Sequence, residues 1–220
     1  MTSVTRSARR RVPAMAPDER RAALIAATVP LVMQHGVSVS TRQIAQAAGV
    51  AEGTIFGVFP DKDSLVQAAL LQAVDPGDAI AELTAIDATA DLRQRLVAAT
   101  TLLRRRFAEY APVFAAARCL AFGPDASPEV GRTLLANRAR LLAALADLIA
   151  PDRQALRRSP DSLARLLVLL IGAGAHGMFG DTEAFSDAEL VALLLDGLLI
   201  PGDAPAADPD RIDPGGAARC

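Results

Sequence analysis

The sequence predicts an all-α fold of about nine or ten helices, and three observations predict it. Hydrophobic residues make up 51% of the chain while aromatics make up only 4% and Trp is absent, a composition dominated by the strong helix formers Ala and Leu. Apolar residues recur at three- and four-residue spacing, the period of a helix that buries one face. Ser-Pro, Asp-Pro-Gly and Ser-x-x-Gln/Glu signals punctuate the whole chain as helix starts and stops. With 220 residues the chain can bury a sizeable core in one large or two small domains.

Residues 1–16 carry Arg6, Arg9, Arg10 and Arg11 among Ser, Thr, Ala and Pro without hydrophobic periodicity, so a disordered basic arm is expected. Such an arm either lies along phosphates or in a minor groove, or is a solvated tail. The first helix is expected to begin at Pro17, with Asp18 and Glu19 complementing its dipole, and to end at His35 and Gly36. Its inner stripe is Leu24, Ile25, Thr28 and Val32, and Pro30 within it removes a hydrogen bond at about 3 kcal/mol.

The next stretch, residues 40–59, reads as two short helices around a Gly turn. Ser40 and Gln43 stand in capping-box spacing, Ile44 and Ala45 face inward, and Gly49 supplies the left-handed backbone of a sharp corner that Val50 plugs. From Ala51 a second helix buries Ile55 and Phe59 and shows Glu52, Gly53, Thr54, Phe56, Gly57 and Val58 elsewhere. Small residues dominate that outer face, so its backbone can approach a grooved partner, the layout of a DNA-reading helix-turn-helix. After Pro60, Asp61 caps a helix to about Val74 with a face of Leu65, Ala68, Ala69 and Gln72. Asp75, Pro76 and Gly77 then break the chain.

That break is the expected boundary between a helix-turn-helix domain at 17–76 and a second, helical domain at 77–201. Helices are expected at 78–86, 91–109, 112–122, 128–149, 160–179 and 186–199, three of them opened by Ser127-Pro128, Ser159-Pro160 and the Ser186/Glu189 capping box. The Pro-, Asp-, Gly- and Ala-rich residues 202–220 are expected to be a disordered tail. Through Val74 there are 8 Lys and Arg against 5 Asp and Glu, leaving 15 against 20, a mildly basic head on an acidic body.

Several function classes recede. The apolar residues 163–179 are fewer than the ~20 that a membrane span needs and include Arg165 and His176, so a buried interface helix is expected. Cys119 and Cys220 form neither a disulfide framework nor a metal site, no secretory signal is present, and a cytoplasmic location follows as the default. No catalytic constellation is readable, and neither a metal nor a cofactor is expected. A literal G-x-G-x-x-G does occur at Gly172, Gly174 and Gly177, with Asp196 about 20 residues on. The run before it is mostly Leu and continues a helix capped at Ser159-Pro160, so a nucleotide-binding enzyme is only a remote alternative. Read as helix, Gly172, Gly174 and Ala175 form a small-residue face for close packing, and Leu167, Ile171, Leu190, Leu194 and Leu198 join them as candidates for a four-helix dimer seam. Candidates for an apolar ligand pocket are Phe107, Tyr110, Phe114, Cys119, Phe122, His176, Met178 and Phe179.

Residues 17–74 resemble the DNA-binding domain of TetR-family transcriptional regulators. The resemblance rests on Ser40-Thr41-Arg42-Gln43-Ile44-Ala45, Ala48-Gly49-Val50, Gly53-Thr54-Ile55-Phe56 and Phe59-Pro60-Asp61-Lys62-Asp63-Ser64-Leu65 in that order and spacing. It implies a homodimer in which residues 77–201 are a ligand-binding and dimerisation domain, whose small ligand moves two reading heads apart. It further implies phosphate contacts at Thr41, Arg42 and Lys62, and contacts to bases or backbone at Glu52, Gly53 and Thr54. Phe56 stands in place of a usual Tyr and Val58 in place of a common His, while Ala51 replaces a common capping Ser or Thr. Gln43 serves either as a cap or as a base contact, and Gly57 completes the exposed set. The expected function is a homodimeric repressor, released from a pseudo-palindromic DNA operator by a small apolar ligand. The alternative is a DNA-binding regulator without a small ligand, controlled by a protein partner.

Overall fold

Most helices begin where the sequence places an acceptor side chain. In the computed structural model, which describes residues 16–124, 126–174 and 185–198, the Ser40 hydroxyl accepts from the Gln43 amide at 3.2 Å and the Asp61 carboxylate from the Ser64 amide at 2.7 Å. Asp91, Ser127, Ser159 and Ser186 do the same for Gln94, Val130, Ser162 and Glu189. Each bond satisfies an amide that the first helical turn leaves without an intrahelical partner. The Ser64 amide, then the Ser64 hydroxyl, hold the Asp61 carboxyl below the usual carboxylate range.

Ten α-helices follow among the described residues: α1 Pro17–His35, α2 Thr41–Ala48, α3 Glu52–Phe56, α4 Lys62–Ala73, α5 Gly77–Thr84, α6 Leu92–Glu109, α7 Ala111–Phe122, α8 Pro128–Ile149, α9 Pro160–Gly174 and α10 Asp187–Leu198. Short 3-10 turns at Gly36–Ser38 and Ala150–Ala155 follow α1 and α8. No described helix is long and apolar enough to cross a membrane. The chain is all-helical as expected, with boundaries within a few residues of those read from the punctuation. Residues 1–15 of the basic arm, residues 175–179 of the helix expected at 160–179, and the tail at 202–220 lie outside the described residues. Helix α1 runs on past Pro30 to His35.

Two clusters of buried hydrophobics organise these helices. The first gathers Leu24 and Val32 of α1, Ile44 of α2, Ile55 of α3, Phe59, and Leu65 and Leu70 of α4, and it also takes Val113 and Ala117 of α7. The second is built from α5, α6, α8, α9 and α10 around Leu83, Leu96, Leu103, Leu145, Ile149, Leu163 and Val191. Helix α7 therefore packs on the head, although it follows the chain break. The junction between α4 and α5 is latched by polar contacts. Asn137 donates to the Val74 carbonyl at 3.4 Å, Arg106 to the Asp75 carbonyl at 3.5 Å, and Arg140 to the Asp75 carboxylate at 2.9 Å. Partial burial pushes the Asp75 carboxyl up, but the Gly77 amide, Arg140 and the nearby Arg106 charge together hold it below its usual range.

Gly49 is the sharpest local constraint. Its φ of 66° and ψ of 30° are left-handed, and the Gly49 amide closes α2 by bonding back to Gln46. A Cβ there meets no atom within 4 Å, so substitution is limited by backbone strain alone. Gly49→Ala is expected to destabilise the protein by about 1 kcal/mol, the strain of 1–2 kcal/mol less what the alanine gains by restricting the unfolded chain. Urea denaturation checks this, with Gly49→Asn expected to fall closer to wild type because Asn tolerates the left-handed region.

Candidate functional site

The short helix α3 is positioned from below and from the side. Ile55 is fully buried beneath it, and Phe59, just past its end, fills the same core while bonding its amide to the Ile55 carbonyl at 2.9 Å. Ala51 occupies the N-cap position and makes no side-chain cap, in line with the missing Ser or Thr. Glu52 compensates in part: its carboxylate accepts a short hydrogen bond from the Thr41 hydroxyl, which ties the start of α3 to the start of α2. The two amino-terminal ends are thus neighbours, and Arg42, Glu52 and Gly53, all exposed, belong to the first turns that start there.

Each residue proposed from the sequence finds a place. Arg42, Gln43, Glu52, Gly53, Phe56 and Gly57 are exposed, while Thr41, Thr54 and Lys62 are half-buried. Phe56 is 52% exposed, so it is a surface ring and not a core residue. Gln43 acts as the cap, its side-chain oxygen accepting from the Ser40 amide at 2.9 Å and the Ser40 hydroxyl at 2.8 Å. That leaves its amide nitrogen as the group free of the cap. The Thr41 hydroxyl is spent on Glu52. Lys62 donates to the Val37 carbonyl at 3.4 Å and stands 4.0 Å from the Asp63 carboxylate, while Arg42 has no ion-pair partner among the described residues. Val58 is half-buried against the first core.

A cavity of about 500 Å³ lies between the two cores, bordered by the α4–α5 junction and by α6, α7, α8 and α9. Phe107, Tyr110, Phe114 and Phe122 line it as the sequence suggested, and the Phe107 and Phe114 rings pack at 5.2 Å in a tilted pair. Cys119 is exposed and does not border it, because it points from another side of α7. His176, Met178 and Phe179 lie outside the described residues. The charged and amide lining of Asp75, Arg106, Arg118, Asn137 and Arg138 is not among the residues the sequence suggested, because such a side chain on a helix reads as solvated until a neighbouring helix faces it. One signal was available: Arg118 is the sole charged residue in α7.

The residues named for a dimer seam divide differently. Leu167, Ile171, Leu190 and Leu194 are buried in the chain's own second core, so they present no open face. Among the described residues, the exposed leucines of these helices are Leu166, Leu169 and Leu170 on α9 and Leu193 on α10. Gly172 borders the cavity; Ala175 lies outside the described residues, as do the side-chain surroundings of Gly174 and Leu198. The G-x-G-x-x-G run has no strand before it: residues 166–171 are helical within α9, and Gly177 lies outside the described residues. No group of His, Cys, Asp and Glu among the described residues is arranged to hold a metal.

Residues 24–69 match the sequence family described as bacterial regulatory proteins, tetR family. Solved structures share the overall fold. A protein from Mesorhizobium loti MAFF303099, described as a TetR-family transcriptional regulator, is 22% identical with a TM-score of 0.67, the match covering 84% of this chain and 100% of that one. A tetR-family transcriptional regulator from Streptomyces coelicolor is 24% identical with a TM-score of 0.56, over 83% and 80% of the two chains. Salmonella enterica GusR is 20% identical with a TM-score of 0.61, over 84% and 98%. The family match falls on α1 to α4, where the exposed α2–α3 surface stands on its own core, so this segment is similar to the tetR family of bacterial regulatory proteins and the chain shares its fold with TetR-family regulators.

Proposed function

We propose that the protein is a homodimeric repressor that binds a pseudo-palindromic operator and is released from it by a small ligand in the cavity. The observation that carries this reading is the position of that cavity: Val74, Asp75 and Pro76, the junction joining the head to the rest, form part of its wall. A ligand that presses on this wall acts on the segment that aims α2 and α3. Two heads must stand about 34–36 Å apart to read one face of DNA. The ligand lowers operator affinity by its differential affinity for the two head spacings and by no more than that. Residues 17–76 serve as the reading domain and 77–201 as the ligand and dimer domain, with Leu166 and Leu170 of α9 and Leu193 of α10 as the seam between chains.

On DNA, the exposed Arg42 and the half-buried Lys62 supply phosphate contacts, with Lys62 leaving the Val37 carbonyl to do so. The small residues Gly53 and Gly57 let the α3 backbone approach, and Phe56 offers an apolar contact to a thymine methyl. Glu52 and the Gln43 amide are the polar groups nearest the bases. The described head is close to neutral: Arg20, Arg21, Arg42 and Lys62 stand against Asp18, Glu19, Glu52, Asp61 and Asp63. Non-specific attraction therefore falls to the arginines of the arm.

Footprinting and titration on the DNA upstream of the protein's own gene test this. Two chains are expected per protected site, and Arg42→Ala and Lys62→Ala are each expected to lower affinity on all sequences and to reduce the salt slope by about 1. Protection unchanged in both variants at physiological salt would remove the phosphate assignment. Operator binding that no small compound relieves would favour control by a protein partner.

A further inference from the structure

The cavity is apolar in its body but not neutral at its wall. Phe107, Phe114, Leu134, Leu141 and Val168 supply hydrocarbon surface, while three arginines, Arg106, Arg118 and Arg138, border the space against the single carboxylate of Asp75. That carboxylate is already engaged by Arg140 at 2.9 Å. Arg106 is likewise occupied, with Asp78 at 3.8 Å and the Tyr110 ring beneath its guanidinium at 5.2 Å. Arg118 and Arg138 have no acidic partner among the described residues. Arg118 is also the only charge on a helix whose Val113 and Ala117 are committed to the first core. Two unpaired guanidinium groups beside a low-dielectric wall focus a positive potential into the cavity. Their planar donor sets match a carboxylate better than any neutral group.

We propose that the cavity takes an amphipathic anion, a carboxylic acid with an apolar body, whose body packs on Phe107, Phe114 and Val168 and whose acid group is held by Arg118 and Arg138. This rests on the ligand reading above and narrows it from an apolar compound to an acidic one. Cationic compounds of the same shape are excluded by the same charge.

Calorimetric titration of the full-length protein with decanoate, decanol and decyltrimethylammonium, each below its micelle concentration, tests the assignment. Decanoate is expected to bind at least about tenfold more tightly than decanol, the factor supplied by about 1.4 kcal/mol, with the ammonium compound weakest. The variant R118Q/R138Q changes two exposed side chains on helix surfaces, so folding is retained. It is expected to bind decanoate and decanol alike. Equal binding of acid and alcohol to the wild type, or an acid preference that survives in the variant, would overturn the anion assignment and leave the ligand reading standing. Binding of none of the three would bring down the ligand reading itself, and this proposal with it.

Discussion

Replacing Arg95 by alanine is expected to lower the stability of the protein by about 3 kcal/mol. Arg95 lies on α6 and is only 3% exposed, unusual for an arginine. Its guanidinium donates to the Leu148 carbonyl at 2.6 Å and, through a short contact, to the Asp152 carboxylate. Leu148 is in the last turn of α8, where carbonyls have no helical amide to bond, so the arginine serves as a side-chain cap for that end. Truncation opens a cavity, strands the carbonyl and leaves Asp152 unpaired; broken buried pairs cost about 3–5 kcal/mol. The lower end applies because Asp152 keeps 34% of its side chain in water and can recover solvation. The midpoint of thermal unfolding should fall by about 6–12 °C for a chain of this size.

The same site predicts an asymmetry. The Arg95 Nε finds no hydrogen-bond partner, so the pair is imperfectly satisfied. Changing Arg95 to Met together with Asp152→Ala removes both charges and keeps the volume, and is expected to cost less than Arg95→Ala alone. Urea denaturation of the two variants decides it; since Met keeps the packing of the stem, a double variant less stable than the single one would mean that Asp152 stabilises the chain by contacts other than this pair.

Phe59→Ala is the second large effect, expected at about 3–5 kcal/mol for emptying a fully buried aromatic site. The ring is 1% exposed, at the centre of the first core, with the Arg21 guanidinium 4.3 Å from its centroid. The loss reaches function directly. Helix α3 has five residues, far below the roughly 12–15 at which an isolated helix becomes even marginal in water. It exists because Ile55 and Phe59 anchor it, and with the anchor gone its exposed residues lose their fixed arrangement. Operator binding is expected to fall along with stability, whereas Phe59→Leu should retain much of both. Denaturation and DNA titration run side by side on the two variants check this; full operator affinity in Phe59→Ala would show that α3 is held by other means.

The head was legible because its signals are local. Ser40 with Gln43, Gly49 at the corner and Asp61 before Lys62 act within a few residues of themselves, and the caps and the turn form where the spacing puts them. The aromatic lining of the cavity was legible in part, since Phe107, Tyr110, Phe114 and Phe122 are the large side chains of an otherwise Leu- and Ala-rich region. The arginine lining was not, because a lone cation on a helix reads as a solvated group until a neighbouring helix puts an apolar wall beside it.

Sequence by itself determined the all-helical class, the helix starts, the helix-turn-helix and the break at residues 75–77, since capping, periodicity and turn chemistry act over one or two turns of chain. Tertiary structure decided which face of α9 and α10 is inside. These helices are apolar on nearly every side, so their period cannot distinguish Leu167 and Ile171, which fill the chain's own core, from Leu166 and Leu170, which stay exposed. It also decided that α7 packs on the head, that Arg95 is buried and that Phe56 is not. Each of these depends on which distant helix arrives as neighbour, and that is a choice made by the whole packed core, not by any one segment of it.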